Sequence, residues 1–163
     1  MDETRWLDEA ETDAWIGTVG VLMFLPQHLE QPLQEHGLSF FEYSIMAGLS
    51  DAPERRLSMG YLADVSRGSP SRLSHAIARL EDRGWVRREP SAEDGRVKLA
   101  VLTDAGLAKM VEVAPDHVAS VREAVFDLLD EDQVAHLRDI TTAILERVGP
   151  DSGFVRGRDV PPA

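Results

Sequence analysis

Between Ser71 and Arg79 the chain carries Ser71, Arg72, Ser74, His75 and Arg79. Arg87 and Arg88 follow, and then the run Asp94-Gly95-Arg96 with Lys98 just beyond. Hydroxyls can hydrogen-bond phosphates or base edges, and a guanidinium can hold guanine O6 and N7 with two parallel N–H bonds. That is chemistry of polyanion recognition, not of bond making. The chain has no cysteine, which removes thiolate nucleophiles, disulfides and thiol redox sensing. It contains no G-x-S-x-G, H-E-x-x-H, P-loop or G-x-G-x-x-G pattern, so no enzyme is expected. The five histidines, at 28, 36, 75, 117 and 136, form no i, i+4 pair. Neither a metal nor a cofactor is expected.

The charge distribution agrees with a localised site. The whole chain has a net charge of -12, which argues against indiscriminate binding to nucleic acid. Residues 54–98, however, hold ten Arg/Lys against seven acids, a net of +3, which leaves -15 for the rest. Such a basic middle within an acidic body reads as the footprint of a polyanion site, or as a randomly uneven surface.

The elements that must position these residues follow from periodicity. A long helix is predicted from Asp8 to Glu35, with Trp15, Val19, Leu22, Pro26, Leu29 and Leu33 on one stripe, and with Pro26 and Pro32 kinking or interrupting it. Gly37 ends it, and Ser39 caps a second helix through Phe40, Tyr43, Met46 and Leu49. A short helix runs from Ser58 to Val65, and Ser66-Arg67-Gly68 makes a tight connection. Ser69 as N-cap and Pro70 at the first helical position start the next helix, whose Leu73, Ala76, Ile77 and Leu80 form an inward stripe. The residues quoted above then lie mostly on its outer face. Residues 85–88 and 97–102 read as two strands around a Glu93-Asp94-Gly95 hairpin turn. Thr103 caps a helix that Pro115 breaks or kinks, continued by Val118, Val121, Val125 and Leu128; Asp130 caps a last helix carrying Val134, Leu137, Ile140 and Ile144.

Helix, tight turn, helix and hairpin make a helix-turn-helix whose second helix can enter a major groove. By itself that helix could equally be an ordinary amphipathic surface helix. The hairpin adds a reason to prefer DNA. An arginine at its tip cannot serve the core, but beside a groove-bound helix it can reach the flanking minor groove, where negative potential concentrates. Alternatively, Arg96 forms a local salt bridge with Asp94 or Glu93.

At this point the sequence resembles the MarR-type winged-helix transcriptional regulators. The resemblance rests on Leu57-Ser58-Met59-Gly60-Tyr61-Leu62-Ala63, on Ser71-Arg72-Leu73-Ser74, and on Arg79-Leu80-Glu81-Asp82-Arg83-Gly84-Trp85-Val86. It continues through Asp94-Gly95-Arg96 and Leu102-Thr103-Asp104-Ala105-Gly106, and spans about Asp8 to Val148. His75 stands where the family commonly has arginine, and Ser74 where threonine is commoner. The resemblance implies a homodimer formed by the first and the last two helices, a pseudo-palindromic DNA operator, and a role that is often repression. It also implies release by a small aromatic or phenolic effector, held between the dimer helices and the DNA-binding lobe. Residues available there are Trp15, Val19, His28, Phe40, Tyr43 and Met46, all of which could instead be core.

The expected fold is therefore mainly α: a winged helix-turn-helix with a two-stranded β wing, plus N- and C-terminal helices forming a dimerisation domain. Residues 1–38 and 103–148 would make the helical dimerisation region, 39–102 the DNA-binding lobe and 149–163 a disordered tail. Expected DNA contacts are Ser69, Ser71, Arg72, Ser74, His75, Arg79, Arg87, Arg88, Arg96 and Lys98, with Asp94, Gly95 and Arg96 forming the wing tip. The start MDETRWLDEAETD is acidic and no apolar run approaches about 18 residues, so a cytoplasmic protein without membrane contact is expected. The competing reading is a winged-helix protein-interaction module that does not bind specific DNA.

Overall fold

A computed structural model describes residues 4–66 and 69–149. The expected tail, apart from Gly149, and the Arg67-Gly68 part of the predicted tight connection lie outside the described residues. The element order is α1 (Glu9–Glu35), α2 (Phe40–Asp51), a 3-10 turn (Pro53–Arg55), β1 (Arg56–Ser58), α3 (Met59–Ser66) and α4 (Pro70–Asp82). Strands β2 (Val86–Pro90) and β3 (Lys98–Leu102), α5 (Asp104–Ala124), a second 3-10 turn (Phe126–Leu128) and α6 (Glu131–Val148) complete it.

The helix starts are written in local chemistry. Asp8, Ser39 and Asp130 each make a reciprocal capping box with the residue three positions on, Glu11, Glu42 and Gln133 respectively. Ser69 accepts from the Arg72 amide, and Pro70 occupies a position whose missing N–H costs nothing. Gly37 and Gly84 take positive φ values of 74° and 73°, as helix-ending glycines do.

No helix is broken at its prolines. Pro26 and Pro32 sit inside α1, and Pro115 inside α5, each of which is one continuous helix. Each proline deprives the carbonyl four residues earlier of a donor. Those carbonyls belong to Leu22, His28 and Val111, all exposed residues, so water can replace the lost bond.

The sheet has three strands rather than two. β1 pairs antiparallel with β3, and β3 with β2, in the order β1-β3-β2. Three residues of β1 are too few to show alternation in the sequence; in the sheet Leu57 lies opposite Ala100. β3 is buried from Leu99 to Leu102 because it is the central strand. The core is continuous from the end of α1 (Leu33) through α2 (Ile45, Met46, Leu49) and α4 (Leu73, Ala76, Ile77, Leu80) to α5 (Met110, Val113).

Gly106 locks α5 onto the start of β2. A Cβ there would lie 2.1 Å from the Trp85 carbonyl oxygen. That oxygen accepts from the Thr103 amide at 3.0 Å, while the Thr103 hydroxyl donates to the Gly84 carbonyl at 2.7 Å. The Leu102-Thr103-Asp104-Ala105-Gly106 run is thus a joint, with the glycine required by close backbone approach.

The inward face of α5 is not the stripe that begins at Val118. Gly106, Met110, Val113 and Ser120 are buried, whereas Val118 is 52% and Leu128 72% exposed. On α6 no residue is buried, and Ile140 is 58% exposed. On α1 only Leu29 and Leu33 of the predicted stripe are buried. The apolar stripes exist, but within one chain they face outward. No helix among the described residues is long and apolar enough to cross a membrane.

Candidate nucleic-acid interface

α4 divides cleanly. Leu73, Ala76, Ile77 and Leu80 are buried to 2% exposure or less, and Ser69, Ser71, Arg72, Ser74 and His75 are exposed. The four buried side chains clamp the helix against α2, α3 and the sheet, so the polar face is held rigidly outward. The first turn of α4 presents the positive end of the helix dipole, suited to a phosphate, although Pro70 lacks an N–H and the Arg72 amide is taken by Ser69.

Three arginines run along one edge of this helix region, at 72, 79 and 83, and each is occupied differently. The Arg72 guanidinium lies over the Phe41 ring, 4.2 Å from its centroid. Arg79 Nε donates to Glu42 Oε1 at 2.7 Å. Arg83 donates to the Gly37 carbonyl and also stacks over Trp85. Glu42 is 3% exposed. Burial would raise its pKa, but the Ser39 amide, Arg79 and the Ser39 hydroxyl outweigh that and hold the carboxyl below the usual range. Arg79, expected as a DNA contact, is thus the counter-ion of a buried acid, although its own side chain remains 53% exposed.

The hairpin turns at Gly95 and Arg96, within a loop where the sequence suggested Glu93-Asp94-Gly95. Ser91 N donates to Val97 O at 2.9 Å, and Val97 N to Asp94 O at 2.8 Å. The Asp94 carboxylate accepts from the Arg96 amide at 2.9 Å, bracing the backbone rather than the guanidinium. Among the described residues neither Arg96 nor Lys98 has an ion-pair partner. Arg87 and Arg88 differ from them. Arg87 pairs with Glu89 at 3.0 Å. Arg88 donates through Nε to Glu81 at 2.7 Å, and its amide donates to the same carboxylate at 2.8 Å. The Arg88 hydrogen bond holds Glu81 below its ordinary pKa, and Glu81 raises that of Arg88. Both acids are partly buried, Glu89 to 29% and Glu81 to 26% exposure, while the arginines are more open at 56% and 37%, so a phosphate can reach either guanidinium.

The six candidate effector residues are not gathered into one pocket. Met46 is fully buried in the core and offers no surface. Trp15 is 57% exposed and lies thirteen residues before His28 on α1, about 20 Å along the axis. Val19 is half-buried. His28 lines an apolar groove of about 1130 Å³ with Phe24, Phe126, Leu128 and Leu137, between α1, the end of α5 and α6. Phe40 and Tyr43 instead meet His117 of α5, whose ring centroid is 4.3 Å from that of Tyr43. Burial lowers the pKa of His117 and raises that of Tyr43, and His117 Nδ1 is buried without a hydrogen-bond partner among the described residues. His117 was missed. Its signal is its place on the Met110, Val113, His117, Ser120 stripe, which puts an imidazole on a buried face.

Comparisons with known proteins place this geometry. A sequence model of the MarR family matches residues 36–97, the span from the end of α1 to the wing. The chain is 32% identical over 136 residues to the HTH-type transcriptional regulator PecS of Dickeya dadantii (strain 3937), covering 82% of this chain and 78% of that protein. Its fold is similar to that of Sco3205, a MarR family transcriptional regulator from Streptomyces coelicolor solved in complex with DNA. The TM-score is 0.83, with 39% identity, 99% of this chain and 98% of that chain. It is similar also to AbsC, a MarR family regulator from the same organism, with a TM-score of 0.75, 39% identity and coverage of 95% and 100%. The chain belongs to the MarR family of winged-helix, DNA-binding transcriptional regulators, and is not an enzyme.

Proposed function

We propose that the protein acts as a homodimer that reads a pseudo-palindromic operator and represses transcription from it. The observation that carries the reading is α4, with four buried apolar residues on one side and Ser71, Arg72, Ser74 and His75 exposed on the other. In this reading those four residues approach base edges in the major groove. Arg96, at the wing tip without an ion-pair partner among the described residues, enters the adjacent minor groove. Ser69, Arg87, Arg88 and Lys98 contact phosphates. Sco3205, 39% identical across nearly the whole of both chains, was solved with DNA, which supports the same use of this lobe.

The homodimer is supported by apolar residues that one chain leaves uncovered. Trp15, Leu22 and Phe24 of α1, Val118 of α5, and Leu137, Ile140 and Ile144 of α6 are all more than a third exposed. Contiguous faces of this kind mark interaction surfaces. Residues up to 38 and from 103 to 148 would form the dimerisation region, and 39–102 the reading lobe. Two-fold symmetry would set the two α4 helices about 34–36 Å apart, one turn of DNA. Chromosomal DNA as partner would place the protein in the cytoplasm.

Release by a small aromatic or phenolic effector belongs to the same reading. Its support is the Phe40, Tyr43 and His117 cluster where α2 meets α5, with an unpartnered imidazole nitrogen to receive a hydroxyl. Such a ligand acts only if it binds one spacing of the reading heads better than the other.

The test is selection of operator sites from a random duplex pool by the purified protein, then titration of salt on the winner. Recovery of a palindrome, with affinity falling steeply between about 50 and 200 mM salt, is expected. Failure to enrich any sequence, with no binding at low salt, would leave a winged helix that serves as a protein-interaction module.

A further inference from the structure

We propose that Phe41 is a positioning residue that sets DNA sequence preference by holding Arg72 ready for a base edge; this rests on the reading of Arg72 as a base contact. Phe41 lies in the first turn of α2, next to Glu42, half-buried against the core. Arg72 lies in the first turn of α4 and is exposed. Their contact is face to cation, with the guanidinium carbon 4.2 Å from the ring centroid.

The chemistry of that contact separates Arg72 from its neighbours. Arg79 gives Nε to the Glu42 carboxylate, and Arg83 gives an N–H to the Gly37 carbonyl. Those arginines are fastened by using up donors. A ring beneath the guanidinium uses none, because all five N–H bonds lie in the plane and point away from its face. Stacking therefore restrains the long side chain while leaving its hydrogen-bonding edge intact for guanine O6 and N7. Among the described residues Arg72 has no ion-pair partner to give up on binding.

The base of the platform is itself immobile. The Ser39–Glu42 capping box fixes the first turn of α2, and the Arg79–Glu42 contact ties that turn to α4 seven residues beyond Arg72. Phe41 thus sits inside the fixed first turn of α2, and its neighbour Glu42 is tied to the helix whose arginine it holds. Ordering a free arginine on binding costs about 0.5–1.5 kcal/mol, which a ring that has already ordered it removes. Through RT this is about a two- to tenfold gain in operator affinity for each α4.

The experiment compares full-length wild type with Phe41→Leu, Phe41→Tyr and Arg72→Lys, and with the Phe41→Leu/Arg72→Lys double variant. Each is titrated on the selected operator and on random duplex at one salt concentration. Phe41→Leu should lose about two- to tenfold per α4 on the operator and little on random duplex. It should relax preference at one base position in each half-site, and Phe41→Tyr should restore both. A lysine keeps an attraction to the ring but has no flat face to stack on it, so Phe41→Leu should cost less in the Arg72→Lys background than in wild type. If Phe41→Leu fails to fold, Phe41→Met, unbranched and able to fill an irregular gap, takes its place in the same cycle. Equal losses on operator and random DNA, or additive losses in the cycle, overturn the proposal. Arg72→Ala is the separate control. If it leaves selectivity untouched, the base-contact reading of Arg72 fails; if it relaxes selectivity while Phe41→Leu does not, only the role of Phe41 fails.

Discussion

Replacing Arg79 by alanine tests whether this arginine serves the fold or the DNA. The Glu42 carboxylate accepts from the Ser39 amide and hydroxyl, each at 2.9 Å, and from Arg79 Nε at 2.7 Å. The Arg79→Ala change leaves Oε1 of a side chain only 4% exposed without its cationic donor. A hydrogen bond to a charged group is worth about 1.5–3 kcal/mol. Arg79 is half exposed and solvent screens it, so the expected loss is about 1–2 kcal/mol, read by urea unfolding at pH 7 and fixed protein concentration. The pH dependence gives the cause. Glu42 has a folded pKa below its unfolded one, so its pairing contributes fully above the unfolded value and is lost as pH falls through the folded value. The gap between wild type and Arg79→Ala should therefore close below about pH 4. In a Glu42→Gln background the carboxylate is gone, and Arg79→Ala should cost little. An equal cost in that background, or a gap constant from pH 7 to below 4, would refute the pairing argument. Operator and random DNA affinities should fall together, if at all; a loss confined to the operator would return Arg79 to the DNA-reading face.

Arg96→Ala should weaken operator binding without changing the unfolding midpoint, and should lower the salt slope by about 1 per contact removed; unchanged affinity at physiological salt would take the wing out of the mechanism. Arg72→Ala should cost more on the operator than on random DNA, with about 1–3 kcal/mol of discrimination at stake. Gly106→Ala should destabilise by at least about 1–3 kcal/mol, because its Cβ would meet the Trp85 carbonyl oxygen at 2.1 Å; a neutral result in thermal melts would show that the α5 joint can shift. Light scattering should give twice the chain mass of 18.0 kDa, and Ile140→Glu with Ile144→Glu should shift it toward the monomer; a monomeric wild type would overturn the dimer.

The local chemistry was legible. Ser39, Ser69, Thr103 and Asp130 all cap the helices that their positions announce, and Asp8, where the first helix is predicted to begin, is its cap, because a cap needs only its own residue and an amide three positions on. The inward stripe of α4 was legible for the same reason: 3.6-residue periodicity is a local property. The wing tip followed from Asp94 and Gly95. What the sequence alone determined is thus the order of the helices and the hairpin, the polar face of α4 and the arginine at the turn.

The tertiary structure decided which apolar stripe turns inward and which charges are already engaged. Beyond Pro115 the sequence offered Val118, Val121, Val125 and Leu128, but the side of α5 that is covered within the chain carries Met110, Val113, His117 and Ser120. Periodicity marks an apolar face without naming its partner, and the face left outward is the one a second chain would cover. Strand β1 was hidden because Arg56–Ser58 is a strand only by pairing with β3. Likewise Arg72, Arg79 and Arg88 look alike in sequence. Only the fold brings Phe41, Glu42 and Glu81 against them, and a cation's role depends on what already neutralises or orders it.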